Sequence, residues 1–257
     1  MENSWRRMDL AGRTALVTGA SLGIGRATAL ALAARGVGVR ATGLEAAPLR
    51  ELADLCGAAV LAADLGQPGE LDRVVEWARP VDLLVNAAGF GRYETLADVR
   101  PGPLDELLAV NLAAPIRLSA ALVPGMVARG AGHVVVVASI AGFIGVAREA
   151  VYSASKGGLI AFAESIRYEL AGSGVGVTVV VPAAVATGFF ARSGHAYERR
   201  FPRPVPPARV AAALLGAVER GAPEVYVPRW TVVPVRLRGG LPGAFRRAAA
   251  ASMRSHR

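Results

Sequence analysis

Of the 29 lysine and arginine residues in this chain only one is a lysine, Lys156, and it stands four residues after Tyr152 in Tyr152-Ser153-Ala154-Ser155-Lys156. Positions i and i+4 share a face of a helix, so a phenol and an ammonium would meet over one pocket. Arginine is a rigid, permanently charged fork, whereas lysine is a compact point charge with three rotatable donors. A site that needs a small cation beside a phenol accounts for the one exception to an arginine-only habit. A free phenol has a pKa of about 10, and bringing it near 7 takes about 4 kcal/mol. One positive charge at ~4 Å in an effective dielectric of ~20 supplies about that much. The pair therefore suits a proton donor. Survival of a single surface lysine by chance is the plain alternative.

A second constellation is Thr18-Gly19-Ala20-Ser21-Leu22-Gly23-Ile24-Gly25, between an apolar run at Thr14–Val17 and an alanine-rich helical stretch. Glycines let the backbone turn tightly and approach a pyrophosphate, and a helix N-terminus offers amide donors and a positive dipole end. The spacing is GxxxGxG rather than GxGxxG, and a tight strand-to-helix turn is the bland reading.

The elements that must position these groups alternate. Strands are expected at Thr14–Val17, Val37–Thr42, Ala58–Ala62, Val81–Val85, His133–Ala138, Val175–Val181 and Glu224–Val227. Helices are expected at Ile24–Arg35, Pro48–Leu55, Glu70–Ala78, Leu104–Met126, Val151–Ala171 and Ala208–Arg220. Such alternation predicts an α/β fold, a single doubly wound Rossmann-type domain whose parallel sheet of about seven strands is flanked by helices. That domain would span residues 1–228, with a lid at about 189–207 and a basic C-terminal extension over 229–257.

Composition narrows the class. Hydrophobic residues make up 53% of the 257, enough for a substantial core. Cys56 is the only cysteine, so the fold needs no oxidising compartment. The N-terminus shows no apolar signal segment, and the charge-free stretch Leu170–Ala191 holds Pro182 and a β-branched run, which reads as strand plus loop rather than a membrane span. The net charge is +9, and no acid follows Glu224, while arginines stand at 229, 236, 238, 246, 247, 254 and 257. No nucleic-acid motif accompanies this charge. A short helix over Gly243–Met253 would mix Phe245 and Met253 with Arg246 and Arg247, a segment suited to peripheral contact with an anionic membrane.

The glycine spacing together with the Tyr-x-x-x-Lys pair resembles the classical short-chain dehydrogenases/reductases, from about Leu10 to Val227. The resemblance implies a cofactor site of Gly19, Ser21, Leu22, Gly23, Ile24 and Gly25 in the turn. It extends to Asp64 and Leu65 beside an adenine, Asn86, Ala87 and Gly89 in an NNAG-type motif with alanine second, and Tyr152 and Lys156. It further implies the catalytic set Asn111, Ser139, Tyr152 and Lys156, with Ser139 13 residues before Tyr152. Lys156 would bind nicotinamide ribose hydroxyls, and Ser139 would orient the substrate oxygen. Asn111 has a physical argument of its own: residue 115 is proline and offers no amide hydrogen to the Asn111 carbonyl, leaving it free to bind a water, with a simple kink as the bland reading. The resemblance implies that such a water relays protons between Lys156 and solvent.

The pattern also departs. Pro182-Ala183-Ala184-Val185-Ala186-Thr187 stands where the family has Pro-Gly-x-x-x-Thr, so contacts of Val185 and Thr187 to the nicotinamide amide are expected with Ala183 restricting the backbone. Gly43 occupies the place of the acid that binds an adenosine ribose, which favours NADP over NAD, with Arg40 as a partner if it faces the ribose. The implied activity is NAD(P)-dependent hydride transfer between nicotinamide and a lipophilic carbonyl or secondary alcohol, Tyr152 acting as general acid/base. Alternatives are a 3-oxoacyl-thioester reductase and, in another class, a non-catalytic NAD(P)-binding sensor or scaffold, which would not need the tetrad. The expected pocket comprises Phe90, Tyr93, Ile140, Phe143, Val146, Phe189 and Phe190. No metal is expected. A cytoplasmic homodimer or homotetramer is expected, paired through the two long helices, where Gly157, Gly158, Ala161 and Ala163 allow close approach.

Overall fold

The computed structural model describes residues 7–195, 197 and 202–247. Seven strands form one parallel sheet: β1 (Thr14–Val17), β2 (Gly38–Gly43), β3 (Ala59–Ala62), β4 (Leu83–Asn86), β5 (Gly132–Val137), β6 (Val175–Pro182) and β7 (Glu224–Val227). Their order is β3-β2-β1-β4-β5-β6-β7, so the winding reverses between β1 and β4. Ligands of open α/β sheets bind at the carboxyl ends of strands beside such a reversal. The helices are α1 (Gly23–Ala33), α2 (Ala46–Cys56), α3 (Pro68–Ala78), α4 (Pro101–Leu108), α5 (Ala114–Ala128), α6 (Ala141–Ile144), α7 (Ala150–Glu169), α8 (Phe189–Arg192), α9 (Pro207–Arg220) and α10 (Val232–Gly240).

Alternation along each strand divides the core in two. Ala15, Val17, Leu83, Val85, Val135 and Val137 point to the face covered by α1, α2 and α9. Leu16, Leu84, Val134 and Val136 point to the face covered by α3, α5 and α7. Both faces being covered, the strands read as continuous apolar runs, as parallel strands do. The long helix expected over Leu104–Met126 is α4 and α5 joined by a π turn at Ala109–Ala113. It is long and apolar enough to cross a membrane, but Leu107, Leu118, Leu122 and Met126 bury one side of it inside the protein. The apolar stretch Leu170–Ala191 is β6 with its flanking turns.

The structure bears on three further expectations. Three of the small residues assigned to subunit pairing are accounted for within the chain: a Cβ on Gly157 would lie 3.1 Å from the Gly142 carbonyl oxygen, one on Gly158 would lie 3.3 Å from Leu112, and Ala163 is fully buried. Arg40 does not face the ribose side, because its guanidinium donates to the carbonyls of Ala78 and Pro80 at the end of α3. The expected Gly243–Met253 helix falls partly outside the described residues, and residues 242–247 are helical. The sequence did not suggest the short helices α6 and α8, nor α10, which runs through Pro234. Pro234 is its third residue, where no backbone N–H has an intrahelical partner to lose.

A histidine sits in the sheet itself. His133 on β5 is 1% exposed and pairs in register with Gly176 on β6, where a Cβ would lie 2.5 Å from its Nδ1. The Thr178 hydroxyl donates to the Ala222 carbonyl at 2.7 Å, so it accepts from His133 Nε2–H at 2.8 Å. Nδ1 has no partner among the described residues. Burial, helped by the Arg167 charge, holds the imidazole pKa down to about 4. Above its ordinary value the ring is neutral both folded and unfolded. Below it the unfolded chain binds a proton that the folded protein refuses, so stability falls as pH drops from 6.5 to about 4. The loss from this residue is ~3 kcal/mol at the acid end. Urea unfolding across this range should therefore show a steeper acid loss for the natural protein than for His133→Gln, and equal slopes would contradict it.

Candidate active site

The turn between β1 and α1 is built by glycine for steric reasons. Gly19 has φ +64°, and a Cβ there would lie 2.7 Å from Ala88 Cα on the loop after β4. A Cβ on Gly25 would meet the Gly19 carbonyl oxygen at 2.3 Å. Thr18, which sequence reasoning left out of the site, ties the two loops together: its hydroxyl accepts from the amides of Ala87 and Ala88, both at 3.0 Å. Its place directly before Gly19 was the available signal. Leu22 is the N-cap of α1, with no side-chain cap and no acid in the first turn, so the amides of the helix start are left to an anion. Gly23, at φ +58°, lies under Thr187, whose Cγ2 would be 3.1 Å from an added Cβ. Ser21 packs so close to Gly43 that a Cβ there would lie 2.3 Å from its Oγ.

The other proposed cofactor positions line the same crevice or brace it. Asn86 ends β4, is 2% exposed, and neither its amide oxygen nor its nitrogen finds a partner among the described residues. Burying an unpaired amide is costly, so this is a place for a ligand's polar edge. Asp64 uses one carboxylate oxygen to accept from the Gly66 amide at 2.9 Å, and Leu65 is buried in the core. Ile24 and Ala87 pack against the α1 side of the core. Val185 is buried and its carbonyl accepts from the Thr187 amide, while Thr187 Oγ1 accepts from the Phe189 amide at 3.2 Å. The uncapped helix start, the close glycine turn and the unpaired Asn86 amide together fit a dinucleotide.

Ser139, Tyr152 and Lys156 meet at the carboxyl end of β5. Tyr152 and Lys156 lie one turn apart on α7 and are 8% and 5% exposed. Lys156 Nζ donates to the Val137 carbonyl at 2.9 Å and lies 5.9 Å from the centre of the Tyr152 ring. Burial lowers the ammonium to about 8. Burial also pushes the phenol well above its ordinary range, a hydrogen bond with Ser139 opposing this and Glu149 adding to it. The lowered phenol expected from the lysine is therefore not what the protein alone produces: loss of water dominates at Tyr152, and burial shifts both groups toward their neutral forms while leaving Lys156 an ammonium at neutral pH.

Asn111 lies in the π turn, where the Ala114 amide bonds five residues back to Ala109. π turns are frequent at functional sites. Its Oδ1 accepts from the Phe90 amide at 3.0 Å, and its Nδ2 donates to the Phe90 carbonyl at 2.8 Å and to Ser155 Oγ at 3.3 Å. A Cβ on Gly89 would lie 3.0 Å from Asn111 Oδ1 and 3.3 Å from Lys156 Nζ, so all three residues border one spot.

Of the expected pocket residues, Phe90, Val146 and Phe189 pack around Tyr152. The Phe189 ring is 5.4 Å from the Tyr152 ring, and its Cζ would be 2.7 Å from a Cβ on Gly91. Ile140 and Phe143 instead pack against the core on the α7 side. Tyr93 is stacked under His195 at 3.9 Å with Arg148 near its ring, and Phe190 packs on His195 and Tyr197. The Tyr93 amide donates to the Ser193 carbonyl at 3.0 Å, so the segment from Phe189 to His195 rests on the loop after β4.

A parallel sheet of this strand order, with a glycine-built anion turn at the winding reversal, defines a dinucleotide-binding protein. The family model described as short chain dehydrogenase matches residues 13–198, and the chain belongs to that family. It is an NAD(P)-dependent oxidoreductase acting on CH–OH and carbonyl groups. It is 36% identical over 260 residues to an uncharacterized oxidoreductase of Myxococcus xanthus, covering 96% of this chain and 99% of that one. It is 36% identical over 186 residues to the 3-oxoacyl-[acyl-carrier-protein] reductase FabG of Salmonella typhimurium, covering 70% and 76%. Among solved structures, a short-chain dehydrogenase from Sphingobium yanoikuyae in complex with NADPH superimposes with a TM-score of 0.79 at 28% identity, covering 90% of this chain and 96% of that one.

Proposed function

We propose that this oxidoreductase interconverts a lipophilic ketone and its secondary alcohol, with Tyr152 exchanging the proton at the substrate oxygen. The observation that carries this is the buried hydroxyl pair of Ser139 and Tyr152 under the Phe189 ring, with Phe90 and Val146 beside it. The nicotinamide, when bound, supplies or takes the hydride. Ser139 holds the substrate oxygen, and Tyr152, kept protonated by burial, delivers its proton there. Lys156 fixes its ammonium on the Val137 carbonyl beside the phenol. Asn111 acts as a positioning residue that locks the Gly89–Phe90 backbone.

NADP is proposed ahead of NAD, because Ser21 leaves no room at Gly43 for the carboxylate that would bind an adenosine ribose. A second reading is favoured by the likeness to FabG: the substrate is a 3-oxoacyl thioester. Initial rates of reduced-cofactor consumption decide between them. Medium-chain and cyclic ketones should give the best kcat/KM, with NADPH at least about tenfold better than NADH, a difference of ~1.4 kcal/mol. Better values for 3-oxoacyl thioesters would establish the second reading, better values for small sugars would refute both, and a preference for NADH would overturn the cofactor assignment.

A further inference from the structure

Beyond β7 the chain turns into α10, and that helix leaves apolar side chains in water. Val233 is 51% exposed, Leu237 48% and Leu241 60%, and Trp230 just before them is 41% exposed. Val233 and Leu237 lie four residues apart on one face of α10, and Trp230 in the turn before it and Leu241 at its C-cap extend the exposed apolar row at either end. Aliphatic side chains exposed singly need no explanation, whereas a row of them marks a surface with a partner. Other residues of α10 are covered: the helix packs on α6, and Val232 and Val235 are half-buried. Both α6 and α10 follow strand ends on the same side of the sheet, β5 and β7, which is also the end that holds Ser139 and Tyr152.

The charge carried by the segment that bears the stripe is all of one sign, although Glu164 and Glu224 lie beside Arg229 and Arg236 at its β7 end. Arg229, Arg236, Arg238, Arg246 and Arg247 are exposed, and none of them forms an ion pair among the described residues. No acid follows Glu224 in the sequence, so nothing within the segment can neutralise them. A partner of matching chemistry offers an apolar interior under a negatively charged skin. Arginine suits that boundary, since its stem can lie on apolar surface while the guanidinium reaches anionic groups.

We propose that the Trp230–Leu241 stripe docks this protein on an anionic lipid bilayer, the aliphatic side chains entering the headgroup boundary and the arginines binding lipid phosphates. Binding requires both parts, as one weak anchor alone holds a protein only marginally. The site-bearing end of the sheet then faces the lipid, which suits the lipophilic substrate of the proposed reaction. Docking itself is tested without reference to catalysis.

The full-length protein is sedimented with mixed phosphatidylglycerol–phosphatidylcholine vesicles and with pure phosphatidylcholine vesicles. The expected result is binding to the mixed vesicles at low salt, release as salt rises, and little binding to pure phosphatidylcholine. Leu237→Asp combined with Val233→Asp should weaken binding at least about tenfold, and Arg236→Ala combined with Arg238→Ala by a similar factor, since each basic residue near the surface is worth about fivefold. Thermal melts and cofactor-dependent turnover of both variants on a water-soluble ketone separate loss of docking from loss of fold. Absence of binding to mixed vesicles at low salt would overturn the proposal. So would vesicle-independent dissociation of an oligomer by the aspartate pair in light scattering, which would identify the stripe as a contact with a second copy of this chain.

Discussion

Tyr152→Phe should lower turnover by at least about a hundredfold, the scale of general acid–base catalysis, while cofactor affinity stays within about twofold. The substitution keeps the ring, and with it the packing against Phe189 at 5.4 Å and the buried surface around Leu107 and Ala141. It deletes only the oxygen that shares a hydrogen bond with Ser139 and would carry the transferred proton. Burial raises the phenol above its ordinary range, which fixes the expected pH behaviour. Ketone reduction uses the protonated phenol and should hold through neutral pH. Alcohol oxidation needs the phenolate and should climb as the solution becomes more alkaline. Lys156→Arg should also impair turnover, because a fork cannot occupy the place where Nζ reaches the Val137 carbonyl. Steady-state kinetics with a responsive ketone measure all of this. Turnover of Tyr152→Phe within about threefold of the natural protein would remove the phenol from the mechanism.

The sequence made the frame readable because both periods were clean. Apolar runs of four to eight residues alternated with helical stretches, and a parallel sheet covered on two faces is the arrangement that buries such runs. Thr14–Val17 and Glu224–Val227 are strands with the expected ends, and the other five shift by a residue or two, as helix and strand ends do. The glycine turn was readable because a close backbone approach permits no side chain there. Three things were hidden for physical reasons. The acidity of Tyr152 depends on how much water the fold removes, and spacing along a helix carries no measure of that. Ile140 and Phe143 look like pocket residues by composition, but the turn of α6 after Ser139 carries them into the core. Pro115 signalled a missing hydrogen bond at Asn111, yet the π turn that results, and the lock of Asn111 onto Phe90, are responses of the whole backbone to that gap.

Gly25→Ala should raise the cofactor dissociation constant by about five- to a hundredfold and lower the melting temperature by several degrees. The added methyl would sit 2.3 Å from the Gly19 carbonyl oxygen, 2.6 Å from its carbon and 2.9 Å from the Thr18 oxygen. All three are backbone atoms, so no side chain can swing aside, and overpacking of this kind typically costs about 1–3 kcal/mol. Nor can Gly19 retreat, because its own Cα stands against the Ala88 backbone and Thr18 holds that loop by two hydrogen bonds. The start of α1 must therefore pull away from the turn, carrying its free amides out of line with any pyrophosphate. A displacement that forfeits one or two such bonds costs about 1–3 kcal/mol, which sets the expected affinity loss. Gly69→Ala is the control: this glycine also lies in a first helical turn, but nothing stands within 4 Å of its would-be Cβ. It should melt and bind as the natural protein does, or slightly better, since alanine favours helix. Isothermal titration with NADPH and NADH on both variants reads the difference, and normal cofactor affinity in Gly25→Ala would show that the Gly19–Gly25 turn is not where the dinucleotide binds.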